Sequence, residues 1–307
     1  SGYMILMFSI GYCGYINNLN SLRQGKQIEQ FLFLLIGFAT VLTQGSESGL
    51  VAGGVLLFIV LLYGIFSKQR EIMIRIQNSY ILLGTTGLVL SIISVALPRT
   101  RNFADESVTL HILRPEYWIV LLIVFLIFRI LLVKSRVDLV MWAMLAIGIL
   151  SILVLAWNGR TLIEEWGSGR SELWKVAWQG YLEMPIKNQL FGVGPDCFAP
   201  YLYEMFPEQM NVILSGWWGE AVIANAHNEM LNRLICTGLI GCAGFIWLIS
   251  QAVILFFQNR NKSQYLVPFA IGLIVTMVHQ FAGFQHVMLT PFVFLVMGMG
   301  ISKLDVS

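Results

Sequence analysis

Residues 49–67 read GLVAGGVLLFIVLLYGIFS, a run without one Asp, Glu, Lys or Arg. As a helix it would rise ~28 Å, close to the ~30 Å hydrocarbon thickness of a bilayer. Its apolar side chains go all the way round, leaving no face for water. Polar punctuation brackets the run, with Gln44-Gly45-Ser46-Glu47 before it and Lys68-Gln69-Arg70 after it. The segment is therefore expected to lie in lipid.

Working outward in both directions, similar runs occur near 1–16, 31–44, 79–98, 116–133, 137–157, 234–257, 265–285 and 286–305. Of the 307 residues 57% are hydrophobic and only 12% charged, and mean hydropathy is +0.74, outside the range of ordinary soluble domains. The expected fold class is all-α: a polytopic transmembrane helix bundle of about nine spans with one long extracytoplasmic loop. Three regions follow: 1–157 with the N-terminal transmembrane helices, 158–230 as the loop with amphipathic helices, and 231–307 with the C-terminal helices. The first residue is serine and no basic stretch precedes a short apolar core, so no cleaved signal peptide is expected, and N-terminal helices of a longer protein are compatible with this start.

A net charge of +2 gives no nucleic-acid footprint. The four cysteines, Cys13, Cys197, Cys236 and Cys242, form no CxxC pair, so neither a disulfide framework nor a zinc site is expected. If the first span runs inward, the inner connections collect Arg23, Lys26, Lys68, Arg70, Arg75, Lys134, Arg136, Arg260, Lys262 and Lys303. The short outer connections then hold Arg99, Arg101 and Arg114, which agrees with the positive-inside rule and puts 158–230 outside. Arg99, Arg101 and Arg114, with His111, Asp105 and Glu106, read as a solvated charge cluster.

The loop is net acidic, with Arg160, Arg170, Lys175 and Lys187 as its cations. Leu173, Trp174, Ala177, Trp178, Tyr181 and Leu182 recur at helical spacing, which predicts an amphipathic helix whose aromatic face meets the headgroups or caps the bundle. Further on, AHNEMLNRLICTGLIG spans 226–241. It places His227 and Asn228 at the outer end of an apolar helix, and Gly238, Gly241 and Gly244 on a small-residue face that another helix can approach. A histidine in a first helical turn is kept neutral by the positive end of the helix dipole, as a general base requires. The plainer alternative is an interfacial histidine beside an ordinary Glu229–Arg233 pair. FGVGPDCF, 191–198, brings Gly192 and Gly194 into a turn that permits close backbone approach. No Lys-Ser/Thr follows, so it is not a phosphate-binding loop of the P-loop kind.

Taken in order, SGR at 168–170, LW at 173–174, FGVGPDCF and then AHNEMLNRLICTGLIG resemble the O-antigen ligase and O-antigen polymerase superfamily of the bacterial envelope. The family pattern of His-Asn, nine residues, then Gly-x-x-Gly is met by His227, Asn228, Gly238 and Gly241. The stretch 42–49, LTQGSESG, stands where many members carry a Thr-x-Ser-Arg-Gly patch, and Glu47 occupies the position of the arginine. The resemblance runs from about residue 31 to the end. It implies an integral membrane glycosyltransferase in the bacterial cytoplasmic membrane that works at the extracytoplasmic face with neither cofactor nor metal. The donor would be an undecaprenyl-pyrophosphate-linked glycan, the acceptor a sugar or lipid-linked saccharide hydroxyl, with membrane lipids as surroundings and no nucleic acid. On that implication His227 is the base and Asn228 orients it or the acceptor. Arg170, then Arg233, then Arg160 are the candidates for holding the diphosphate, because the guanidinium fork binds phosphate bidentately and stays charged near lipid.

Two other classes compete. A polysaccharide or small-solute transporter would carry broken helices with mid-membrane charges, and these spans hold few, chiefly Arg129. A scaffold would not explain His, Asn and Arg gathered around one outer loop. His279 and His286, flanking 280–285, read as packing or acceptor-groove residues.

Overall fold

In the computed structural model the described residues are 1–17, 24–67, 69–97, 113–133, 142–143, 146, 170–218, 223–281, 283 and 289–304. They are mostly helical, joined by short turns, with no strand among them. Among the described residues the helices that precede the loop are α1 Gly2–Asn17, α2 Gln24–Thr43, α3 Glu47–Ser67, α4 Arg70–Ala96 and α5 Pro115–Val133. The loop supplies α6 Arg170–Glu183, α7 Ile186–Phe191, α8 Phe198–Met205 and α9 Pro207–Ile213, then a π-turn over Leu214–Trp218. Three helices close the chain: α10 Glu229–Gln258, α11 Leu266–Phe281 and α12 Thr290–Ser302.

Three of these, α3, α4 and α10, are long and apolar enough to cross a bilayer, and Gln27–Thr43, α11 and α12 are shorter apolar helices. Apart from 142–143 and 146, the span expected over 137–157 lies outside the described residues, as does most of the connection at 282–288. α4 begins at Arg70, nine residues before the expected start, because Arg70, Glu71 and Arg75 read as loop in a hydropathy scan although they extend the helix beyond the apolar stretch. At 27 residues α4 would span ~40 Å.

Packing divides the molecule into three cores. The first joins α1 to α4 and α11 through Ile5, Tyr12, Phe38, Leu56, Met73 and Val275, with the Tyr12 hydroxyl hydrogen-bonded to Ser79 at 2.6 Å. The second joins α10, α11 and α12 through Phe245, Ile249, Phe256, Leu273 and Val293. The third belongs to the loop and takes Leu173, Ala177, Phe198, Leu202 and Met210 together with Ile235 and Cys236 of α10. Large apolar side chains such as Ile36, Ile93, Val120, Ile130, Trp247 and Leu295 point outward. In water such a surface would drive association, whereas against lipid chains it is at rest. The chain is a helical membrane protein.

The aromatic face expected on α6 is divided. Leu173 and Ala177 are fully buried in the loop core, Trp174 donates its indole N–H to the carbonyl of Ala226 at 2.8 Å, and Trp178 and Leu182 face outward. One side of the helix caps its neighbours and only the other can meet a headgroup layer.

Candidate active site

Four segments meet at one end of the bundle: the start of α3, the start of α6, the start of α10 and the end of α11. At α3, Gly45 takes a left-handed φ of 64° and turns the chain so that the Ser46 hydroxyl accepts a hydrogen bond from Gly49 N at 3.2 Å. This is the capping that a serine offers a helix start. Ser48 follows, with its hydroxyl 3.0 Å from that of Ser46 and 3.2 Å from His279 Nε2 on α11. His279 is 5% exposed and Gln280 beside it is fully buried.

Between Ser46 and Ser48, Glu47 pairs with Arg170, Oε2 to Nη1 at 3.5 Å. Glu47, which stands where the motif resemblance leads one to expect an arginine, thus meets the loop cation singled out for phosphate. The charge of Arg170 also acts on His227 and reaches His279, so one guanidinium stands within electrostatic range of both rings.

His227 lies ahead of α10 rather than in its first turn. The N-cap of α10 is Asn228, whose Oδ1 accepts from Met230 N at 2.9 Å and Leu231 N at 3.2 Å. His227 therefore precedes the helix with a left-handed φ of 47°, an uncommon conformation for a residue bearing a side chain. Its own N–H donates to Asn225 Oδ1 at 3.0 Å, and the Trp174 bond to Ala226 ties the preceding residue to α6. The ring is kept neutral as anticipated, but the helix dipole is not the leading cause. Burial comes first and the Arg170 guanidinium second, and together they push its pKa down to about 4. The Asn228 side-chain oxygen is committed to the helix start, so it fixes the backbone that presents His227.

Arg233 lies one turn into α10, with Nε 2.7 Å from Glu229 Oε1 and the guanidinium carbon 3.7 Å from the centre of the Phe245 ring. This is the ordinary i,i+4 pair, sealed by an aromatic face. Glu229 is 4% exposed. Arg160 lies outside the described residues, as do His286, Arg99, Arg101, His111, Asp105 and Glu106. Arg114 is exposed just before α5.

The glycines explain how α10 carries the site. Gly238 breaks the helix with φ 70° and ψ −175°, and Gly192 has φ 77°. A Cβ on Gly192 would collide with the backbone of Cys236 and Thr237, and one on Gly238 with the backbone of Leu190 and Gly192. Two strands of main chain therefore cross in contact, which only a pair of glycines allows. In an unbroken helix the carbonyls of Ile235 and Cys236 would serve Leu239 and Ile240. Here they accept from Val193 N at 2.9 Å and Gly194 N at 3.0 Å, so the kink leaves neither carbonyl wanting. The expected small-residue face for a neighbouring helix is not what forms. Gly238 receives the loop backbone, a Cβ on Gly241 would meet Thr237 of its own helix, and Gly244 has no described atom within 4 Å.

Sequence reasoning brought forward His227, Asn228, Arg170 and the glycines, and the structure gathers them at one end of the bundle. It passed over Ser46, Ser48 and the place of Glu47 as a partner. The signal available was the polar patch at 42–49, whose hydroxyls converge on His279 through the fold rather than through any local spacing.

No curated protein and no solved structure matches the chain. A family model described as O-Antigen ligase matches residues 116–246. The match takes in α6 to α9, the Gly192–Gly194 turn, His227, Asn228, Gly238 and Gly241, which are the residues on which the motif resemblance rests, and it supports the likeness of this part of the chain to the O-antigen ligase and polymerase superfamily.

Proposed function

We propose that this membrane protein transfers a glycan from an undecaprenyl-pyrophosphate-linked donor to a sugar hydroxyl at the extracytoplasmic face of a bacterial cytoplasmic membrane. The match to the O-antigen ligase family model over residues 116–246 supports glycosyl transfer in general. The observation that carries the finer reading is the meeting of Arg170 and a neutral His227 at one end of the bundle. Transfer from such a donor needs a proton acceptor beside the attacking hydroxyl and a fixed cation beside the leaving diphosphate.

In this mechanism the His227 ring takes the acceptor's hydroxyl proton as the oxygen attacks the anomeric carbon. The new glycosidic C–O bond forms while the bond from that carbon to the diphosphate oxygen breaks, and the electron pair leaves with undecaprenyl pyrophosphate. Arg170 faces the growing negative charge with donors that point in a plane. Asn228 and the Gly192–Gly238 crossing hold the backbone that presents His227, which is where positional error would be most damaging. Arg233 supports this part of α10 through Glu229 and Phe245. A ligase and a polymerase reaction differ only in what bears the hydroxyl, and the same mechanism serves both.

The test is reconstitution of the full chain in proteoliposomes with a lipid-linked glycan and a saccharide acceptor. Release of undecaprenyl pyrophosphate together with a glycan-extended acceptor is expected. Movement of intact donor or solute across the bilayer without bond cleavage would instead establish a transporter.

A further inference from the structure

The two described guanidiniums of the site each stand beside a carboxylate, and the two pairs differ in kind. Glu229 and Arg233 are neighbours on one helix, 2.7 Å apart, with the glutamate side chain 6% exposed and the cation lying on Phe245. That pair is closed. Glu47 and Arg170 come from helices distant in sequence, meet at 3.5 Å and leave 21% and 22% of their side chains exposed. This looser contact leaves room for exchange.

The carboxylate of Glu47 also sits where a helix start would favour any anion, in the first turn of α3 beside the hydroxyls of Ser46 and Ser48. The formal charges of Glu47, Arg170, Glu229 and Arg233 sum to zero. A phosphate approaching Arg170 would meet a guanidinium already beside the Glu47 carboxylate.

Resting on the proposed transfer reaction, we propose that Glu47 is an internal stand-in for the donor's phosphate: it holds Arg170 in position in the empty site and yields that guanidinium when an anionic lipid phosphate arrives. Glu47 is then a positioning and specificity-determining residue. Once displaced it remains close to the bound anion and repels it, more strongly the more charge the anion carries. It lowers affinity for every phosphate and lowers that for a diphosphate most.

The experiment is calorimetric titration of the full chain in nanodiscs with inorganic pyrophosphate and, separately, orthophosphate. Glu47→Gln should tighten pyrophosphate binding about tenfold, the scale of one unscreened charge partner in a partly buried site, and orthophosphate binding by less. In the Glu47→Gln, Arg170→Gln double variant the gain should disappear. A purely structural role for Glu47 would shift stability without ranking the two anions by charge. Unchanged or weaker pyrophosphate binding in Glu47→Gln overturns the inference, as does equal tightening for both anions or binding to neither form. If the Gln variant does not insert, Glu47→Asp draws the charge back by one methylene and should give a smaller gain in the same direction; absence of that gain is equally fatal. Binding needs no glycan transfer, so the outcomes separate. Charge-ranked tightening without transfer activity removes the proposed reaction alone, and transfer activity with no effect of Glu47 removes this inference alone.

Discussion

Acidifying the assay from pH 7 to about pH 5.5 probes His227 more sharply than deleting it. With an ordinary histidine pKa near 6.5, the neutral fraction would fall from about 75% to about 9% over this interval, an eightfold loss of base. With the pKa held at about 4 by burial and by Arg170, the neutral fraction stays at about 97%. The donor kcat/KM, which reports the free enzyme, should therefore stay nearly level to about pH 5 and fall only toward pH 4. The limb of kcat should lie higher. A bound diphosphate neutralises the Arg170 charge that opposes imidazolium, and so raises the pKa of the ring in the complex. The assay is release of undecaprenyl pyrophosphate in proteoliposomes across pH, for wild type and His227→Gln. The Gln variant can accept a hydrogen bond but no proton, so its rate should drop by about 10² to 10⁴-fold, and its residual activity should lack the acid limb. An eightfold fall of kcat/KM by pH 5.5, absent from the Gln variant, would show a solvated histidine and refute the burial argument. Full activity of His227→Gln would remove the base altogether.

Three further outcomes follow from the same geometry. Arg170→Lys keeps the charge but loses the planar fork, so transfer should fall by at least tenfold while membrane insertion, read by detergent-extracted yield, is unchanged; full activity would leave Arg170 a surface charge. Gly238→Ala forces a side chain into a left-handed backbone and into the main chain of Leu190, which should destabilise by about 2 kcal/mol or more and lower the thermal midpoint of the purified protein by several degrees, whereas Gly244→Ala, with no described atom within 4 Å, should leave it unmoved. Gln209→Cys, placed on an exposed turn of α9 in a cysteine-free background, should react with an impermeant thiol reagent on intact cells; reaction only after permeabilisation would reverse the topology.

The lipid-facing helices were legible because an apolar run of span length has one stable solution in a bilayer. Their ends were less so. Arg70, Glu71 and Arg75 read as a connection by hydropathy and yet form the first turns of α4, since backbone hydrogen bonding continues where hydrophobicity stops. His227 and Asn228 were legible as a motif, but their division of labour was not. The cap takes the Asn228 side chain and leaves His227 outside the helix with an αL backbone. Glu47 stood out as a departure from the family pattern, while its pairing with Arg170 depends on two helix starts meeting in space, and no local spacing encodes that. The role of Gly238 was hidden for the same reason. A row of glycines on one helix suggests a helical neighbour, and only the fold reveals that the neighbour is the turn at Gly192.

The crossing at Gly192 and Gly238 also marks where the protein can be recombined. Ile235 and Cys236, above the kink, are packed into the loop core, whereas Phe245 and Ile249, below it, are packed into the bundle core. A graft that exchanged the loop at the helix boundary near 229 would hand a foreign loop a native α10 tip, leaving the carbonyls of Ile235 and Cys236 to find new partners. A graft that ran from 170 through Gly238 would transplant the histidine, its cap and the turn that secures them as one inherited piece. The membrane helices below should accept that piece as they would any sequence that presents the same kinked end.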